Sequence, residues 1–226
     1  MGTLTFENVK QELIEIITKE FIAQIDNNTP YHNEAQVQYK LAIELYKKFK
    51  IEPTLEWYVK NDESGAKEYI DMMLKIGSKR VAIELKYKTR AVKGEDAYVN
   101  QGGQSDGKFH FFKDIERLER LKKSKDKDCR IEKGFAIFIT NDYLYWNEPR
   151  SNSQAEDFKL CAGKNIKQGI YYAEWRMTEE QKKQKELKEA KNAAVTISRS
   201  YPVEWSSPSD EEKKEGKTFR YLIIGV

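Results

Sequence analysis

Histidine and cysteine are scarce in this chain, and each scarcity removes a class of function. The two histidines, His32 and His110, and two cysteines, Cys129 and Cys161, offer no zinc spacing, and one cysteine pair is too little for a disulfide framework. A reducing compartment, the cytoplasm, is the expected location. No run approaches the ~20 apolar residues that span a bilayer. The opening MGTLTFENVK leads into an amphipathic pattern, so neither a signal peptide nor a membrane partner is expected. Phe6 also stands where a myristoylation motif needs Ser or Thr. Net charge of one sign is small too: 40 Lys and Arg face 37 Asp and Glu, a formal +3, so a surface for a polyanion has to be local. Internal repeats and low-complexity segments are missing.

What is present suits a globular α/β domain spanning 1–226, with 39% hydrophobic residues for a core and 34% charged residues for its surface. Phe6, Val9, Leu13, Ile16, Ile17, Phe21 and Ile25 recur near helical period, which predicts an N-terminal helix within 1–26. A second helix is expected from His32 to Lys48, with Val37, Leu41, Leu45 and Phe49 on one face. Thr54–Val59, Glu68–Lys75 and Lys79–Lys88 read as an antiparallel run of strands. A Gly-rich polar loop, 101–107, separates them from a helix over Phe109–Lys123. The apolar Gly134–Thr140 then reads as a buried strand parallel to a neighbour, with that helix as the crossover. In the C-terminal elaboration, 141–226, strands are expected at Gly169–Trp175, Thr196–Trp205 and Thr218–Ile224, and a Lys/Glu-rich helix at Thr178–Ala194.

The chemistry concentrates in EYIDMMLKIGSKRVAIELKYKT, Glu68 to Thr89. A two-residue hairpin loop at Gly77-Ser78 makes opposed residue numbers sum to 155, which sets Asp71 opposite Glu84. Strand alternation puts Val81, Ile83 and Leu85 on one face and Glu84 and Lys86 on the other. Directly opposed residues have Cβ atoms about 4.5–5.5 Å apart, close enough for two carboxylates to share one hard cation. Phosphodiester cleavage needs a cation to neutralise the phosphate and acidify a water, and a group to orient that water. The plainer account is a solvated strand face, for which acid and base alternation is common.

These residues resemble the PD-(D/E)XK, or restriction-endonuclease-like, nuclease superfamily, with Asp71 on the second strand and Glu84-Leu85-Lys86 on the third. The resemblance covers about 32–140, with Ile70 where the name-giving proline would sit. It implies a core of helix, three-strand antiparallel meander, crossover helix and parallel fourth strand, flanked by helices. It further implies that Asp71, Glu84 and the Leu85 carbonyl bind magnesium, with manganese able to substitute, while Lys86 orients the attacking water. Many members add a glutamate from the first core helix, here Glu34, with Glu44 as the alternative. A helix N-terminal acid stabilised by the macrodipole explains Glu34 equally well. The function so implied is a DNA endonuclease of a restriction or defence type, acting on DNA in preference to RNA, with a homodimer compatible. The rival is a catalytically silent nucleic-acid or protein-binding module on the same fold.

Weaker signals lie after the meander. Gln104, Lys108, His110, Lys113 and Arg117 follow or lie in the Gly-rich loop and could approach phosphates. A mobile surface loop is the plainer reading. The polar helix is expected to be a solvated face of mixed charge.

Overall fold

The computed structural model describes residues 3–22, 30–61, 65–94, 96, 98–149, 153, 155–183, 193–206 and 218–226. Its centre is a five-stranded mixed sheet in the order β1-β2-β3-β4-β9. β1 (Thr54–Lys60), β2 (Lys67–Ile76) and β3 (Lys79–Lys88) run antiparallel, β4 (Lys133–Thr140) is parallel to β3, and β9 (Arg220–Gly225) returns antiparallel to β4. Short strands β5 (Asn165–Ile166) with β8 (Tyr201–Pro202), and β6 (Gly169–Tyr172) with β7 (Ala194–Ile197), form two small ladders beside it.

Helices cover both faces. On one side lie α1 (Val9–Ile16), which continues into a π-helical segment, Ile17–Ile22, and α2 (Glu34–Phe49). Their Leu13, Phe21, Val37, Leu41 and Leu45 meet Met72, Leu74, Val81, Ile83 and Leu85 of the sheet. On the other side α3 (Gln104–Lys122) presents Phe111, Ile115, Leu118 and Leu121 to Ala82, Ala136 and Phe138. The strict alternation in β3 and β4 is the period-2 rule acting on strands buried from both faces.

α2 starts where Asn33 caps it, its side chain accepting the Gln36 N–H at 2.9 Å. α3 begins five residues before the expected Phe109, because Gly102 and Gly103, both at positive φ, make the turn and the following Gln-Ser-Asp-Gly is already helical. Gly107 is required there for packing: a Cβ would collide with the Tyr145 hydroxyl. Further differences lie in the C-terminal part. Trp175 sits in a 3-10 turn after β6, and Thr196–Trp205 is divided between β7 and β8. Of the polar helix only α4 (Glu179–Lys183) is described, while 184–192 and Ile25 lie outside the described residues. Among the described residues no helix is long and apolar enough to cross a membrane.

The sheet forks, and the fork positions everything that follows. β2 and β3 pair in the expected register, Met72 with Ile83 through Ile76 with Lys79, and then part. β1 and β2 continue as a two-stranded arm to Lys60 opposite Lys67, whereas β3 stays with β4 to Lys88 opposite Thr140. Asp71 sits where they separate. At the same level the arm changes faces: Leu55 and Met72 pack toward α1 and α2, but Trp57 and Ile70, each two residues away, pack toward α3. Residues so spaced normally share a face, and the inversion is carried by Glu56, a non-glycine residue at φ 51°.

Candidate active site

Strand parting leaves main-chain groups without their usual partners, and acidic side chains take them up. The Leu85 N–H donates to Asp71 Oδ2 at 2.6 Å, and the Tyr87 N–H donates to Glu34 Oε2 at 2.9 Å. The Asp71 N–H donates to Glu84 Oε2 at 3.4 Å. Gln38, buried on α2, donates to the Asp71 carbonyl and, at 3.2 Å, to Glu56 Oε1. Asp71 and Glu84 thus meet as expected, but through side-chain hydrogen bonds to the backbone and not through a ladder pair.

Lys86 and Glu84 leave β3 on the α3 side, as alternation requires. Lys86 Nζ lies 3.3 Å from Glu34 Oε1, 3.2 Å from Asp114 Oδ2 and 3.0 Å from the Leu85 carbonyl. Glu84, 1% exposed, accepts a hydrogen bond from Arg117 Nη1 at 2.5 Å. The same nitrogen lies 3.7 Å from Asp114 Oδ1 and 3.3 Å from the Tyr69 carbonyl. These groups line one cavity of about 770 Å³, to which Lys88, Gln101, Asp106 and His110 also contribute.

Asp114 and Arg117 complete the cluster from α3, one turn apart. Burial, then repulsion from Asp114, raises the Glu84 pKa well above its ordinary value. Burial also raises Asp114, to about 6, against the pull of Lys86 and Arg117. Burial disfavours the charged form of Lys86, but Asp114, Glu34, Asp71 and Glu84 outweigh it and its pKa rises. At neutral pH the lysine is an ammonium.

Four acids, Glu34, Asp71, Glu84 and Asp114, therefore share two cations, Lys86 and Arg117, a local excess of two negative charges when all are ionised. Asp114 Oδ2 is buried, and the cation beside it is the Lys86 ammonium at 3.2 Å. Among the described residues no three of these side chains stand close enough together to hold a metal ion as arranged, but an all-oxygen set with that excess of negative charge has the donor chemistry that hard divalent cations take. Arg117 and three main-chain N–H groups take oxygens of Glu84, Asp71 and Glu34 in this arrangement.

The other expected residues separate. His110 lines the cavity with its Nε2 3.1 Å from Arg176 Nη2, and burial followed by the Arg176 charge lowers its pKa. Gln104 turns away to donate to Asp142 Oδ2 at 2.9 Å. Lys108 is 3% exposed with its ammonium over the Tyr145 ring, and Lys113 pairs with Glu116 along α3, so neither lines the cavity. Glu44 pairs with Lys40 and Lys47 on α2, which leaves Glu34 as the helix glutamate in the cavity. Asp114 had a signal in the sequence: in the series Gly107, Phe111, Asp114, Leu118, Leu121, spaced four and three apart, it is the one charged residue on an apolar stripe. Gln38 had none beyond its place next to Val37.

No family model matches the chain, and no curated protein shows significant sequence similarity to it.

Proposed function

We propose that this chain is a divalent-metal-dependent phosphodiesterase acting on nucleic acid, a DNA endonuclease built on a restriction-endonuclease-like core. The observation that carries the reading is the convergence of Asp71, Glu84, Lys86 and Glu34 on one cavity at the fork. Asp71, Glu84 and the Leu85 carbonyl would hold magnesium or manganese, and Asp114 adds a donor that the sequence reading did not assign. The ion supplies charge neutralisation at a phosphate and a water of lowered pKa.

The protein's own groups do the rest. Lys86, held charged between Glu34 and Asp114, orients a water by hydrogen bonding and stabilises negative charge as it develops on the phosphate oxygens. A compact ammonium suits that post better than a guanidinium. Arg117 holds the Glu84 carboxylate toward the cavity. His110 stands at the cavity wall with its Nε2 accepting from Arg176, which leaves it no free acceptor nitrogen.

The silent-module alternative is favoured by one observation, that Arg117 and main-chain donors already occupy oxygens of Glu84 and Asp71. Incubation with plasmid, linear duplex and single-stranded nucleic acid, with magnesium and with chelator, decides between them. Magnesium-dependent cleavage is expected, and Lys86→Ala should reduce it by a factor on the order of a hundred or more. Cleavage by Lys86→Ala at the wild-type rate would refute the assignment.

A further inference from the structure

The β1–β2 arm has two faces of opposite character. Trp57, Val59 and Ile70 pack toward α3, and Glu68 beside them is bound by Arg120. The other face carries Tyr58 opposite Tyr69 and Lys60 opposite Lys67, and all four side chains are exposed. Tyr58 is 47% and Tyr69 52% exposed, with ring centroids 6.0 Å apart in an edge-on pair.

Folding does not account for this face. Like charges directly opposite in an antiparallel pair destabilise it, and two half-exposed tyrosines leave apolar surface in water. Among the described residues no ion pair or hydrogen bond reaches either ammonium. An anionic partner with flat apolar parts satisfies both features: phosphates relieve the lysine pair, and bases stack on the tyrosines. The face also adjoins the cavity, for Tyr69 lies two residues before Asp71 and its carbonyl accepts from the Arg117 that holds Glu84.

We propose that Tyr58, Lys60, Lys67 and Tyr69 form a binding surface for unpaired nucleotides of a strand leaving the fork. A duplex hides its base faces in the stack, so the tyrosines select single-stranded or frayed segments. The position of that strand rests on the nuclease reading, but the surface makes its contacts without metal and without chemistry.

The test is fluorescence anisotropy in chelator, with a labelled oligo(dT) of about 12 nucleotides and a duplex of the same length, on wild-type protein and on Tyr58→Ala, Tyr69→Ala and Lys60→Ala/Lys67→Ala. Each tyrosine change should weaken oligo(dT) binding by a factor of about ten, within a range of roughly 5 to 150, and leave the duplex little affected. The lysine double change should lower the slope of log affinity against log salt by about 1.4, at about 0.7 per phosphate contact, and raise the melting temperature slightly as the repulsion goes. Failure of the wild type to bind, unchanged affinity and salt slope in all three variants, or equal losses for duplex would each overturn the surface. Oligo(dT) binding by the wild type that the variants lose, in a protein that cleaves nothing, would uphold the surface and sink the nuclease reading. Cleavage of single strands with unchanged binding by the variants would do the reverse.

Discussion

The two ends of the β2–β3 pair obey different rules. Near the Gly77-Ser78 turn, β2 and β3 pair residue by residue, from Met72 with Ile83 to Ile76 with Lys79, and Val81 and Ile83 are wholly buried. Six residues along each strand, around Asp71 and Glu84, carboxylates take the place of β2–β3 ladder bonds, and the buried Glu84 side chain is ionisable. One end is built for stability, and the other keeps strained backbone and repelling acids that a fold alone would discard.

Substitutions should divide along the same line. Ile83→Ala at the closed end should cost about 2–5 kcal/mol of stability in denaturant unfolding, with manganese affinity of the folded protein little changed. A large loss of manganese binding in that variant would erase the contrast.

At the open end, ionisation itself should be destabilising. Asp114 holds its proton up to about pH 6 in the fold but only to about 4 when unfolded. The folded state then binds more protons across that window, so its contribution is fully present below about pH 4 and lost as pH rises through about 6. The loss is at most about 3 kcal/mol, from a shift of about two units. A melting series from pH 4 to pH 7 on wild type and Asp114→Asn should show the steeper slope in the former, since buried Glu84 adds a slope of the same sign to both, and manganese at pH 7 should recover part of it. Parallel profiles for the two proteins would mean that Asp114 is not strained.

Asp71 gives the finest division, since it both receives the Leu85 N–H and faces the cavity. Asp71→Asn keeps an acceptor of the same shape, so stability should change by less than about 1 kcal/mol, while calorimetric manganese binding drops sharply. Asp71→Ala strands the donor and should cost about 1–3 kcal/mol as well. If the two substitutions behave alike in both assays, the carboxylate has one role and not two.

Legibility in the sequence followed the same division. The closed end was readable because hairpin register and strand alternation are local: β3 runs over Lys79–Lys88 as expected, and pairing follows the sum of 155 as far as Met72 and Ile83. The mixed sheet and its crossover helix followed from the apolar run at Gly134–Thr140. Glu34 was legible from its face on α2, and it reaches Lys86. The fork was not, because the face inversion at Glu56 depends on Gln38 arriving from another element. Lys108 was misplaced for a related reason: glycines that signal a loop in sequence became the first turns of α3, and the earlier start rotates that lysine inward.

The carboxylates of Asp71 and Glu34 also have a protective side. Beyond Ile83, β3 would be a raw strand edge, with the Leu85 and Tyr87 donors pointing where a neighbouring strand once lay. Such an edge is a template on which another chain can add, and charged side chains turned in against it are among the means that keep β-proteins from assembling edge to edge. The residues proposed to serve a cation site are in this arrangement also a guard against aggregation, a role that needs no chemistry.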